Sequence, residues 1–189
     1  METQTGLFND GKKKQLSKED KSNIGEWDSK IADLCNKINR NTNYYTTSSC
    51  SGRIVLLKAS EEKQPNAFLF RTHDKVSFSQ LKKALEKVKY DGLIEFQQTS
   101  CIMHVACLSL EYAQELVNKA KLAGWKRSGI MSIGKRFMVE LHSTENMSFP
   151  IMNNKVILVD DNFLKLVVEL ANNKLERVWK KIEKLKNLV

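Results

Sequence analysis

Two prolines and eight glycines are all that 189 residues contain of the two strongest chain breakers, and no low-complexity tract forms a linker. One compact unit over residues 1–189 is therefore expected, with a frayed polar segment over residues 1–17. No apolar run approaches the ~20 residues of a membrane helix, and the lysine-bearing N-terminus lacks the apolar core of a secretory signal. A cytoplasmic protein with no membrane contact is the expectation. The four cysteines, Cys35, Cys50, Cys101 and Cys107, lack the close pairing of a zinc site, so they read as reduced thiols and no metal is expected. Also missing are GxGxxG after a strand, GxxxxGK, HExxH and GxSxG, which leaves a Rossmann cofactor site, a P-loop, a zincin and a hydrolase elbow without support.

Acid is scarce too. Asp and Glu number 22 against 31 Lys and Arg, a formal charge of +9. Such an excess draws counterions from a polyphosphate and makes nucleic acid the first partner to consider, although solvated lysine faces account for the same charge equally well. Hydrophobic residues at 41% and charged residues at 28% are those of an ordinary folded protein.

What is present alternates between the two periodicities. Ile31, Leu34, Cys35 and Ile38 recur at helical spacing after Asp28, which is placed to cap. Gly25 breaks any earlier helix, and the run Lys12, Lys13, Lys14 starts a short one. The stretch "YYTTSSCSGRIVLLKA" reads as two strands around a glycine, Gln64-Pro65-Asn66 as a turn and "AFLFRTH" as a third strand. Phe78, Leu81, Leu85 and Val88 mark a helix between Ser77 and Lys89. "GLIEFQQTSCIMHVACL" supplies two more strands, Leu110 to Leu122 a helix ended by Gly124, and "GIMSIGKRFMVELHST" a hairpin around Gly134. After a last short strand at Val156 to Val159, a long amphipathic helix runs over residues 163–188, with Lys174, Arg177, Lys180, Lys181 and Lys184 on its outer face. "TSSCSGRIVLL" and "TSCIMHVACL" echo one another and suggest a duplicated strand and helix unit. Strands outnumber crossover helices, so an α+β fold is expected, non-Rossmann, with a mostly antiparallel sheet and helices packed on it.

The densest chemistry lies at "TTSSCSGR". Backbone amides of Ser49 to Gly52, flanked by hydroxyls and by Arg53, make a concave donor set of the kind that holds a carboxylate or phosphate. A hydroxyl-rich strand entry with a core cysteine is the competing structural role. His73 and His104 lie in strand patterns beside polar residues, where a histidine either packs or moves a proton near neutral pH.

These segments, together with "DKSNIGEWD" (Asp20 to Asp28), "FLFRTHD", "GLIEFQQTSCIMHV", "AKLAGWKRSGI", "RFMVELHSTE" and "ANNKLERVWKKIEKL", resemble in order and spacing the tRNA wybutosine-synthesising protein 3 family, in its short archaeal form. The resemblance covers the chain from about Lys18 onward. It implies a non-Rossmann tRNA methyltransferase that takes its methyl group from S-adenosylmethionine. Its expected acceptor is ring nitrogen 4 of the 7-aminocarboxypropyl-demethylwyosine base at position 37 of phenylalanine tRNA. By family match, Ser48, Ser49, Cys50, Gly52 and Arg53 line the cofactor and substrate cleft, and Ser128, Gly129 and Ile130 form a second cofactor turn whose other role is a helix-to-strand loop. Asp28, His73 and His104 are candidate catalytic groups. Lys12, Lys13, Lys14, Lys126, Arg127, Lys135 and Arg136 are candidate contacts to tRNA phosphates, with Tyr44 or Tyr45 stacking on an extruded base. His142 stands where the family often has arginine. A non-enzymatic basic RNA-binding module is the alternative, and a structural subunit with a basic docking helix is a third reading.

Overall fold

The structure, a computed structural model, describes residues 4–17, 28–59, 66–134 and 136–189. The expected break at Gly25, most of the "DKSNIGEWD" segment, the turn at Gln64 and Pro65 and the candidate contact Lys135 lie outside the described residues. The elements are α1 (Gln4–Leu16), α2 (Ser29–Arg40), β1 (Tyr44–Cys50), β2 (Arg53–Lys58), β3 (Phe68–Thr72), α3 (Phe78–Glu86), β4 (Ile94–Thr99), β5 (Ile102–Cys107), α4 (Leu110–Leu122), β6 (Gly129–Ser132), β7 (Phe137–His142), β8 (Met147–Asn153), β9 (Val156–Ile157) and α5 (Asp161–Leu188). Every strand pair among the described residues is antiparallel, so the fold is α+β, as the strand count implied. None of these helices is long and apolar enough to cross a membrane.

The chain divides into two compact units. The first comprises Met1–Ser51, Cys101–Thr144 and Trp179–Val189. Its sheet has the order β1-β5-β7-β6. Ile31, Leu34 and Ile38 of α2, Leu116 of α4, Ile182 and Leu185 of α5, and Met103, Val105, Val139 and Leu141 of the sheet are all buried. That cluster is what the helical and alternating patterns were spaced to build. Helix α4 closes as the sequence implied: Gly124 sits at φ +93°, its N–H donates to Lys121 O at 3.0 Å and Trp125 N–H donates to Ala120 O at 2.9 Å. This pair of bonds is the Schellman arrangement, and only a residue without Cβ adopts that φ at little cost. The frayed start expected over residues 1–17 is instead a helix from Gln4, held by Phe8, whose ring lies 5.1 Å from that of Tyr45 and is buried with Tyr45 and Ala106.

The second unit comprises Gly52–Ser100 and Glu145–Val178, with a sheet of order β3-β2-β4-β8-β9. Its core joins Ile54, Leu56, Ile94, Phe96 and Ile151 to Leu81 and Leu85 of α3 and to Leu164, Val167, Ala171 and Leu175 of α5. Ser77 starts α3 with a full capping box to Gln80, a device that contributes about 1 kcal/mol. The helix stops at Glu86, short of the expected Lys89, with Lys87 as its C-cap. Strand β8 was not among the expected strands, and it carries Pro150, which has no N–H to give to a ladder. The structure accommodates it opposite Glu95, next to a register shift between Ile94 and Glu95, where the ladder is already interrupted and a missing N–H does least harm.

Candidate active site

Strand β1 carries the local irregularity that builds the site. Its pairing with β5 skips Thr47: Thr46 faces Val105 and Ser48 faces His104. Thr47 is thus an extra residue, a bulge that shifts the alternation of everything after it. Thr46 exchanges hydrogen bonds with Asn39 of α2 and Ser49 accepts from the Cys35 thiol at 3.4 Å, so both face α2. Ser48 faces the other way and stands exposed.

On that other face the registers of β1, β5 and β7 align three rows of side chains: Tyr45, Ala106 and Met138; Ser48, His104 and Glu140; Cys50, Ile102 and His142. The first row is capped by Phe8 of α1. The second is one hydrogen-bonded line, with Ser48 Oγ 2.7 Å from His104 Nδ1 and His104 Nε2 3.1 Å from Glu140 Oε2. The other Glu140 oxygen lies 3.9 Å from His142 Nδ1. Burial holds the His142 imidazole below its ordinary pKa, against the pull of the Glu140 carboxylate and helped by the nearby Arg127 charge.

Asp28 caps α2 through Oδ1, which accepts from Lys30 N at 3.2 Å, and its Oδ2 accepts from Ser51 N at 2.8 Å. One carboxylate therefore ties a helix start to the exit of β1, and the capping role weighed from the sequence is realised. Ser51 itself is fully buried, and its hydroxyl has no hydrogen-bond partner among the described residues. Burial pushes the Cys35 thiol up to about 12 and Cys101 in the same direction. Cys50 is half-buried.

In the second unit, Gly52 at φ +93° is the residue the turn requires: a Cβ there would lie 2.8 Å from Thr99 O. Its carbonyl lies 2.9 Å from His73 Nδ1. Arg53 lies over the half-exposed ring of Phe68, 4.9 Å from its centroid, with Arg71 on the same ring at 5.5 Å. The Arg53 Nε is buried with no hydrogen-bond partner among the described residues.

Two expected contacts take inward positions. Tyr45 is fully buried against Phe8 and presents no ring face to a base, and Tyr44 is buried beside Tyr112. Ser128 is buried too; its hydroxyl donates to Trp125 O at 2.6 Å and accepts from His142 N at 3.1 Å. That closes the α4-to-β6 connection, the loop role weighed for it, with Gly129 and Ile130 opening β6. Lys12 is half-buried with its ammonium on Asn41 O, whereas Lys13, Lys14, Lys126, Arg127 and Arg136 are exposed. An open hollow of about 550 Å³ borders the first row, with Gln15, Thr47, Ile133, Arg136 and Met138 in its wall.

Comparison with known proteins decides the family. Residues 11–189 match the model described as Methyltransferase TYW3. The chain belongs to the TYW3 methyltransferase family. A Methanocaldococcus jannaschii relative named tRNA(Phe) 7-((3-amino-3-carboxypropyl)-4-demethylwyosine(37)-N(4))-methyltransferase is 37% identical over 176 residues, 91% of each chain. A Thermococcus sibiricus relative of the same name is 38% identical over 181 residues, 93% of this chain and 91% of its own. Among solved structures, the PH1069 protein from Pyrococcus horikoshii matches with a TM-score of 0.88 at 37% identity, covering 97% of this chain and 94% of that one. Within this TYW3 chain, Ser48 and His104 were candidates from the sequence, and the structure sets Glu140, which was not, in the same hydrogen-bonded row. The available signal was the i, i+2 spacing of Glu140 and His142, which sets both on one face of a strand.

Proposed function

We propose that this chain transfers a methyl group to ring nitrogen 4 of 7-(3-amino-3-carboxypropyl)-4-demethylwyosine at position 37 of tRNA(Phe), with S-adenosylmethionine as the donor. The observation that carries the reading is the family match across residues 11–189, joined by relatives of that name aligned over nine-tenths of their length. The residues fit such a donor chemically. The buried Ser51 hydroxyl, without a hydrogen-bond partner among the described residues, suits an amine- or hydroxyl-bearing group, and in the second unit Arg53 suits a carboxylate. Bound, that donor supplies an electrophilic methyl carbon on a positively charged sulfur.

For the acceptor, the exposed cations Lys13, Lys14, Lys126, Arg127 and Arg136 suit the phosphates of an anticodon arm. The hollow beside Arg136 suits an unstacked base, a part that the enclosed Tyr45 does not play. Asp28 and His73 are proposed to fix the backbone at Ser51 and Gly52, which they contact. The test is incubation with isotope-labelled donor and tRNA(Phe) carrying the demethylated base, followed by nucleoside mass spectrometry. One labelled methyl on that nucleoside is expected; an unchanged nucleoside mass refutes the reading.

A further inference from the structure

The name of the transfer contains a proton. An acceptor that is "4-demethyl" bears hydrogen where the product bears methyl, so a neutral product requires that hydrogen to leave as a proton. We infer that Glu140 is the positioning residue of a proton relay in which Ser48 Oγ faces the acceptor nitrogen and His104 takes the proton. This rests on the proposed methyl transfer for its substrate and on this chain's own geometry for its parts.

The geometry fixes the direction. A carboxylate only accepts hydrogen bonds, so at 3.1 Å from Glu140 Oε2 it is His104 Nε2 that carries the hydrogen. In the neutral ring Nδ1 is then the acceptor, and the Ser48 hydroxyl at 2.7 Å donates its hydrogen to it. The Oγ lone pairs are left facing outward from an exposed strand position, where they can receive a proton.

As the nitrogen–carbon bond forms and the methyl–sulfur bond breaks, its electron pair staying on sulfur, Ser48 Oγ takes the nitrogen's proton and passes its own to His104 Nδ1. The imidazolium so formed faces the Glu140 carboxylate, which stabilises its charge, and afterwards gives the proton to water. Donor sulfonium plus N–H acceptor becomes neutral thioether plus N-methyl product plus one proton, with no oxidant or reductant required.

The groups around the relay are consistent with this polarity. His142 is 3.9 Å from the second Glu140 oxygen, and burial lowers its affinity for a proton, so it does not neutralise the carboxylate near pH 7. Arg127 is the further charge felt at His142. Side-chain exposures of 27% for His104 and 31% for Glu140 leave the line reachable yet half-sheltered. The row depends on Thr47 standing outside the pairing: were Thr47 itself paired with His104, Ser48 would share the face of Thr46.

The relay is tested by pairing turnover with the tautomer of His104. Nitrogen-15 NMR of the wild type at pH 8 is expected to show protonated Nε2 and bare Nδ1; Glu140→Ala is expected to give a mixture of tautomers. In single-turnover methyl transfer, Glu140→Gln and Glu140→Ala should each lose about 10- to 100-fold in rate, with the apparent affinity for tRNA changed less than about threefold. Glu140→Asp should recover part of the rate. Ser48→Ala should slow transfer while leaving the His104–Glu140 contact. The relay is overturned if Glu140→Ala keeps both the wild-type tautomer and the wild-type rate, or if the wild type itself holds the proton on Nδ1. Should Glu140→Ala fail to fold by circular dichroism, Glu140→Gln, of equal shape, decides. A wild-type chain that transfers no methyl at all refutes the functional reading instead, and the tautomer still decides the positioning of His104.

Discussion

The two sheets are both antiparallel and both lay one face on helices, yet they carry opposite kinds of chemistry. The four-stranded sheet of the first unit lines up a hydroxyl, an imidazole and a carboxylate in one cross-strand row. The five-stranded sheet of the second lays two guanidinium groups over one aromatic ring, Arg53 and Arg71 on Phe68. A linked acid–base row is suited to moving a proton; cations fixed on a ring are suited to holding an anion, because the ring orients the guanidinium without neutralising it. All four cysteines also lie in the first unit, so the two are expected to differ in their response to alkali as well.

If the difference divides the work, it divides the kinetics. His104→Ala is expected to lower the rate of methyl transfer by about 100-fold or more with little change in KM, the size of effect typical of a lost acid–base group. Arg53→Ala is expected to raise KM for the methyl donor by roughly tenfold, in line with the loss of one charged hydrogen bond, and to change kcat much less. Steady-state titration of donor and tRNA separates the two. Equal effects of both substitutions on kcat would erase the division.

Alkaline pH sharpens it thermodynamically. Burial pushes Cys35 and Cys107 up to about 12 and raises Cys101 as well, whereas unfolded thiols ionise above about 8.5. The unfolded chain therefore loses protons first. The stabilisation is complete below that pH and declines as pH rises, by up to about 1.4 kcal/mol per pH unit for each thiol. Hydrogen-exchange protection factors at pH 10 relative to pH 8 should fall in α2, β1 and β5 before they fall in β2 and β4. Parallel loss in both sheets would show that the thiols do not set the order.

The smallest effects belong to the surface. Lys126→Ala, Arg127→Ala and Arg136→Ala should each weaken tRNA binding only a few-fold. Each should also reduce the slope of log affinity against log salt by about 0.7 to 0.9. Binding measured at two salt concentrations reads this directly, and an unchanged slope removes that residue from the phosphate contacts.

Much of this fold is legible in the sequence alone. Helix α4 was readable to its last residue, because a 3.6-residue pattern ending at a glycine leaves one solution. The strands flanking Gly52 were equally plain. What escaped were features that depend on partners distant in sequence. Strand β8 was not expected, and its Pro150 is tolerated because the ladder opposite it is already interrupted. Helix α1 was legible only in part: the run Lys12 to Lys14, expected to start a short helix, lies near the end of one that begins at Gln4 and is anchored by Phe8 meeting Tyr45. Glu140 was hidden for a third reason. A lone acid in a strand looks like a solvated charge, and only the register of β7 against β5 sets it beside His104.

The bulge at Thr47 carries a consequence for chain length. It acts as a frame shift within β1: Tyr44 and Thr46 on one side of it and Ser49 on the other face α2 and α4 only because one residue between them is not counted. Removing Thr47 would leave every remaining side chain of β1 on its present face, whereas one residue more would exchange the faces of Ser48 and Ser49 and bury the hydroxyl that now meets His104. In this strand a deletion at one position is nearly silent, and an insertion is an inversion.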